Sequence, residues 1–333
     1  MMETRAVMDE REVAAKRFVK ARFGDRTRDL VPLAAGEWSR AYALTLDGHE
    51  VVIRFGAYVD DFEKDRVMGR HSSAALPIPK VLEVGEAGSE FYAVSERVAG
   101  KPLDDLDEGE MRALLPGLLA ALDELRELRP IGRHGFGLWR PDGTAPSETW
   151  SAALLAVAER TGRTAGWRER LDASPQDAEV FDAAFGKLGR LAPQLPDVRS
   201  IVHGDLLNRN VLVDAGRLSG VIDWGNALYG DPLYDIAWLL YWWAWYPAWQ
   251  GIDLTESLDR HWRAHGGPPD RMQERLLCYL IHIGLDNVAY SAFKERPEQL
   301  RRNTEQLLTY LQPQAGCLPQ SRTTAFGRPA APS

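Results

Sequence analysis

Between residues 40 and 55, apolar and polar side chains alternate on either side of Asp47-Gly48, which predicts an antiparallel hairpin with strands near 40–46 and 50–55. Ahead of it, apolar positions at helical spacing predict an amphipathic helix over 11–23. Behind it, a charged helix over 60–72 runs into Leu76-Pro77-Ile78-Pro79, where each proline forces its predecessor into extended backbone. Two more strands, 81–86 and 90–97, complete a small sheet that Ala99-Gly100-Lys101-Pro102 brings to an end. The hinge is expected near 95–100, with a first lobe at 1–97 and a second at 98–312.

Past the hinge the period changes. Met111, Leu114, Leu115, Leu118, Leu119, Leu122 and Leu125 recur at helical spacing, and most later segments read the same way. The expected class is α+β, a small antiparallel sheet followed by a mainly helical lobe. Asp104, Asp105, Asp107, Glu108 and Glu110 lead into the first of these helices, where negative charge suits the positive end of the macrodipole. The most apolar run, 236–249, is too short to cross a membrane and is interrupted by Pro247, which makes it a buried helix. Residues 313–333, with repeated Pro and Gly, read as a flexible tail.

Composition narrows the class. With 333 residues, 45% apolar and 26% charged, the chain can bury a core in each of two lobes. A formal net charge of −8 argues against a nucleic-acid partner and is compatible with a cationic small molecule. Cys278 and Cys317 have neither zinc nor disulfide spacing, and residues 1–10 carry charges in place of a secretory apolar stretch. A cytoplasmic location without a membrane partner is expected, with a monomer as the simplest assembly.

The chemistry concentrates in His203-Gly204-Asp205-Leu206-Leu207-Asn208-Arg209-Asn210, followed by Val211-Leu212-Val213, a turn at 214–216, and Val221-Ile222-Asp223-Trp224. An Asp, an Asn five residues on, and a second Asp beyond an apolar hairpin supply a base and two magnesium ligands, the groups that phosphoryl transfer needs. Any one of these residues alone would be an ordinary turn or cap; the fixed spacing between apolar strands singles them out. Asp205 is the candidate base, Asn210 and Asp223 are the candidate metal ligands, and His203 is a brace for the loop.

A donor pocket is the other requirement. Val51-Val52-Ile53-Arg54 has the form of the strand that presents a cation to nucleotide phosphates, with Arg54 where lysine is usual; a surface arginine on an edge strand is the competing reading. Glu63 on the next helix is the first candidate to orient that cation, with Asp65 behind it. Gly36 and Ser39, in the turn ahead of the hairpin, are candidates to cover the phosphates. The backbone of Ser95-Glu96-Arg97 is the candidate to bond the nucleotide's base between the lobes.

The ordered set Val52-Ile53-Arg54, Leu76-Pro77-Ile78-Pro79, Ser95-Glu96, the 203–210 loop, Ile222-Asp223 and the segment 231–237 resembles the aminoglycoside phosphotransferase family. More narrowly, Gly36-Glu37-Trp38-Ser39-Arg40-Ala41, Lys64-Asp65-Arg66, Gly135-Phe136-Gly137 and Ile283-Gly284-Leu285-Asp286 look like its hygromycin B phosphotransferases. The resemblance implies a protein-kinase-like bilobal fold, ATP as donor with GTP as the alternative, and Mg2+. It also implies Asp205 as base, Asn210 and Asp223 as metal ligands, Arg54 on the phosphates, and an antibiotic hydroxyl as acceptor. That subgroup carries arginine at the position of Arg54.

On the acceptor side, Trp238, Trp242, Trp245 and Trp249 would share one helical face, as core or as a cleft wall for a sugar or ammonium group. Asp286 and Tyr290 share a later helical face with Ile283 and Phe293, which places a buried acid in want of a cationic partner. Asp231 is a weaker acceptor candidate, and Asp235 a brace for the catalytic loop. The reading is an ATP-dependent O-phosphotransferase that acts on a cationic aminocyclitol antibiotic of the hygromycin B type and confers resistance. The alternatives are a kinase of another small alcohol, such as a macrolide, homoserine or a choline-like metabolite, and a nucleotide-binding pseudokinase.

Overall fold

In the structure, a computed structural model describing residues 2–33, 36–132, 134–159 and 162–312, helix α1 (Met2–Phe23) is followed by β1 (Thr27–Pro32), β2 (Ser39–Leu46), β3 (His49–Gly56), α2 (Val59–Met68), β4 (Val81–Ala87) and β5 (Glu90–Glu96). The five strands form one antiparallel sheet in the order β1-β2-β3-β5-β4. Alternation along β3 sends Val51, Ile53 and Phe55 to one face, where they pack with Tyr42, Leu44, Tyr92 and Val94 against Ala15, Val19 and Phe23 of α1. Arg54 therefore faces the other way, toward α2. β1 has no counterpart in the sequence pattern: as an edge strand it fully buries none of its residues, so it carries no apolar alternation.

Beyond Glu96 come β6 (Lys101–Pro102), α3 (Glu108–Glu127), β7 (Gly137–Leu138), α4 (Trp150–Leu155), α5 (Trp167–Leu171), α6 (Pro175–Leu191), β8 (Ser200–Val202), β9 (Val211–Asp214), β10 (Arg217–Val221), β11 (Leu228–Gly230), α7 (Leu233–Trp243), α8 (Leu254–Ala264), α9 (Met272–Phe293) and α10 (Pro297–Leu311). Two small sheets, β10-β9-β6 and β7-β11-β8, lie among these helices. The acidic run ahead of α3 acts through a capping box: Asp107 accepts the Glu110 amide at 2.9 Å, and Glu110 accepts the Asp107 amide at 3.0 Å. α9, 22 residues long and apolar enough to cross a membrane by length and composition, is the central helix of this lobe, mostly buried against α5, α6, α7 and α10. A Cβ on Gly284 would stand 2.7 Å from a Leu307 methyl of α10, so α9 and α10 pack closely at this crossing.

The aromatic run departs from the single helix expected over 236–249. α7 stops at Trp243, Tyr246 is extended ahead of Pro247, and Trp249 lies in a short 3-10 turn, stacked on Tyr246 at 4.0 Å. Proline disfavours helical backbone in its predecessor, so four tryptophans that would share one face are divided among a helix, a turn and a 3-10 segment. The expected tail, with Cys317, and Ala34-Ala35 ahead of the hairpin lie outside the described residues.

Candidate active site

β8 leads into a loop that hydrogen bonds hold at both ends. Asp235, in the first turn of α7, accepts the amides of His203 and Gly204, both at 2.9 Å. Asp104, ahead of α3, accepts the amides of Asn208 at 3.1 Å and Arg209 at 2.9 Å. These two residues have φ of 62° and 69°, a conformation that is unfavourable for side chains with a Cβ and that the bonds to Asp104 offset. His203 is fully buried; its Nδ1 accepts the Asp205 amide at 3.2 Å, which puts the proton on Nε2, 3.0 Å from the Ile222 carbonyl. Burial pushes its pKa down to about 4, so the ring is a neutral brace.

Asp205 accepts hydrogen bonds from the side chains of Asn208, at 2.7 Å, and Asn226. Burial pushes its pKa well above the ordinary carboxylate range; Asp223 and Asp104 add to the rise, and the asparagine bonds oppose it. A carboxylate moved toward neutrality takes a proton from an alcohol more readily than an ordinary aspartate does. The β9–β10 hairpin pairs Val211 with Val221, and the Ile222 amide donates to the Asn210 carbonyl at 2.9 Å, so Asn210 stands beside the residue preceding Asp223. Asn210 donates Nδ2 to the Asp205 carbonyl at 2.8 Å, which leaves Oδ1 for another partner. Burial and the neighbouring Asp65 raise the Asp223 carboxyl, with Arg54 opposing. An amide oxygen and a carboxylate at adjoining positions, amid several acids and a single arginine, are hard donors that fit Mg2+.

Arg54 on β3 pairs with Asp65 of α2, whose other oxygen accepts the Trp224 amide at 2.8 Å. Glu63, the first candidate for this role, instead pairs with Arg66 at 2.5 Å. Helical geometry explains the correction: positions two apart lie about 200° apart around the axis, so only one of the two can face the cleft. Lys64, 1% exposed, donates to the carbonyls of Gly225 at 2.7 Å and Ala227 at 3.0 Å. Lys64 and Asp65 thereby fasten α2 to the segment that follows Asp223.

The turn holding Gly36 and Ser39 reaches across to the helical lobe. Glu37 pairs with Lys294 at 3.1 Å and Arg296 at 2.5 Å, and the Trp38 ring lies 4.7 Å from the Lys294 ammonium. Ser39 opens β2 opposite Gly56, and Ser95 is buried in β5 opposite Val52. Arg97 is tied to β3: its guanidinium meets the Glu50 carboxylate at 2.9 Å and its amide donates to the Glu50 carbonyl at 3.3 Å, so both of these groups are already engaged.

Asp286 is exposed rather than buried. Among the described residues it has no hydrogen-bond or ion-pair partner, and burial of its surroundings pushes its pKa up to about 6. Tyr290, one turn on, is half-buried, with the Lys294 ammonium 5.6 Å from its ring. Trp238 is a core side chain, and Trp242 is half-buried between Trp238, at 6.1 Å, and Trp245, at 4.9 Å; the indole N–H of each is buried without a hydrogen-bond partner among the described residues. Asp231 is fully buried and accepts two bonds from Arg275, each at 2.7 Å, and one from Tyr279, which removes it from the acceptor candidates. Asn226 and the Glu37 ion pairs depend on contacts distant in sequence, as do the bonds that make Asp104 an anchor of the loop rather than only part of the acidic run ahead of α3; Asn208 carried a signal, standing three residues from Asp205 in the same loop.

The sequence matches the phosphotransferase enzyme family over residues 29–276. The hygromycin-B 4-O-kinase of Escherichia coli is 34% identical over 282 residues, which cover 84% of this chain and 79% of that protein. An aminoglycoside 3'-phosphotransferase of Niallia circulans is 28% identical over 163 residues, 49% of this chain and 57% of that protein. The crystal structure of a thermostable mutant of an aminoglycoside phosphotransferase, in ternary complex with AMP-PNP and hygromycin B, is 32% identical and superposes with a TM-score of 0.77 over 89% of this chain and 97% of that one. The chain therefore belongs to the phosphotransferase enzyme family, has the bilobal kinase-like fold of the aminoglycoside phosphotransferases, and is a phosphotransferase with an alcohol group as acceptor.

Proposed function

We propose that this enzyme transfers the terminal phosphoryl group of ATP to a hydroxyl of a hygromycin B-like aminocyclitol, with Mg2+ held by Asn210 and Asp223. The observation that carries the reading is the convergence of Asp205, Asn210 and Asp223 on one loop and one hairpin, with the Arg54–Asp65 pair beside Asp223. Asp205 takes the proton of the acceptor hydroxyl as its oxygen bonds to phosphorus, and the bond to the bridging oxygen breaks to release ADP. Held by Asn210 and Asp223, Mg2+ would supply the positive charge that offsets the charge developing on the phosphate oxygens. Arg54 supplies a fixed positive charge to the same oxygens, and Asp65 sets its direction.

The acceptor reading rests on Asp286, an unpaired carboxylate that suits an ammonium group, and on the relatives named above. A buried free thiol at Cys278 and ATP as donor suit the cytoplasm as the site of action. The test is phosphotransfer from ATP to hygromycin B, with a panel of other aminoglycosides, macrolides and small amino alcohols, the product identified by mass spectrometry. Preferential phosphorylation of a macrolide or metabolite would replace the acceptor assignment, and no transfer to any alcohol would overturn the reading.

A further inference from the structure

We propose that Asp123, His261 and His265 form a second metal site, for a divalent first-row transition ion such as Zn2+, on the outer seam between α3 and α8. One ligand atom from each lies within 4.8 Å of the other two. His261 lies in the last turn of α8 and His265, four residues on, is its C-cap, so both imidazoles stand at the end of this helix. Their rings are 4.3 Å apart. His265 Nδ1 bonds the His261 carbonyl at 2.7 Å; a neutral ring donating there presents Nε2 as a lone pair, the outer bond by which metal-ligating histidines are oriented. Asp123, from the last two turns of α3, places its carboxylate 2.7 Å from His261 Nε2. Zinc ligands about 2.0–2.2 Å from the ion lie roughly 3.4 Å apart in a tetrahedron, so a small opening of the Asp123–His261 contact and a turn of the exposed His265 admit the ion. Two imidazoles and one carboxylate select zinc, nickel or copper over Mg2+, which takes all-oxygen sets.

The seam is already joined at its other end, where Arg112 of α3 donates to the Gly251 carbonyl at 2.9 Å just ahead of α8. The ion closes the second end and fixes α8 to α3, whose N-terminal approach carries Asp104, the anchor of the catalytic loop. The competing account is a plain His261–Asp123 ion pair, and the experiment separates the two. Full-length, tag-free protein is stripped of metal and titrated with Zn2+ by calorimetry at pH 7.5, with excess Mg2+ present to occupy the catalytic ligands. Expected is one saturable equivalent of Zn2+ and a raised melting temperature, with affinity falling about tenfold or more in His265→Gln and in Asp123→Asn. His265 is exposed, so its variant folds, and circular dichroism checks this. Affinity that weakens as the solution is acidified follows from imidazole ligation, since the ion competes with protons for the ligand nitrogens. Absence of saturable Zn2+ binding, or binding unchanged in both variants, overturns the proposal.

Discussion

Asp65 joins strand β3 to the segment that follows Asp223: one oxygen takes the Arg54 guanidinium, the other the Trp224 amide at 2.8 Å. With side chains 15% and 7% exposed, Arg54 and Asp65 are largely withdrawn from water. Asp65→Asn leaves the arginine without its counter-charge and is expected to cost about 3 kcal/mol of stability. It should also raise KM for ATP more than KM for the acceptor. Thermal melts and steady-state kinetics check this; an unchanged melting temperature with unchanged KM for ATP would mean the bridge is idle.

Asp205→Asn keeps the shape of the loop and removes the base. Turnover should fall by about 10²–10⁴-fold while ATP affinity holds. Asn208→Ala gives a subtler readout, because the Asn208 bond lowers the Asp205 pKa. Losing it raises that pKa, and since the base must be deprotonated, the acid limb of the kcat profile should move to higher pH. A limb that stays in place or moves down argues against Asp205 as the titrating group.

With its pKa near 6, Asp286 is mostly protonated at pH 5 and mostly ionised at pH 7. Affinity for a cationic acceptor should therefore improve as pH rises through this window. Asp286→Asn should flatten the dependence and raise acceptor KM about tenfold or more at pH 7, the loss of one charge-assisted bond. An effect confined to KM for ATP would place Asp286 outside the acceptor pocket.

Lys64 is held by the carbonyls of Gly225 and Ala227, and burial pushes its pKa down to about 7 from an ordinary 10.5. Between these values the unfolded chain binds the extra proton, so this residue's contribution to stability rises with pH and is lost as pH falls toward 7. The melting temperature of the wild type, relative to Lys64→Met, should climb between pH 7 and 9. A difference independent of pH would show that the ammonium stays charged in the fold.

Local pattern made the hairpin, the α3 face and the 203–223 motif readable, because each is written in neighbouring residues. Asp205, Asn210 and Asp223 were visible for the same reason: two short strands fix their separation. Glu63 against Asp65 turned on which side of α2 meets the sheet, which depends on packing between elements. Asp231 looked like an acceptor ligand only while Arg275, 44 residues away, was out of view. The tryptophan stripe failed where Pro247 reset the backbone, a signal present in the sequence but outweighed by periodicity.

Arg54 also decides how this enzyme responds to chemical probes. Affinity reagents that acylate or sulfonylate a lysine amine beside the nucleotide find a resonance-stabilised guanidinium here, with no free lone pair to attack them. The nearest amine in the sequence, Lys64, has the lowered pKa that such reagents favour, yet it is sealed from solvent by its two carbonyl partners. Lysine-directed nucleotide inhibitors should leave this protein untouched, whereas arginine-selective dicarbonyls should inactivate it, with ATP protecting.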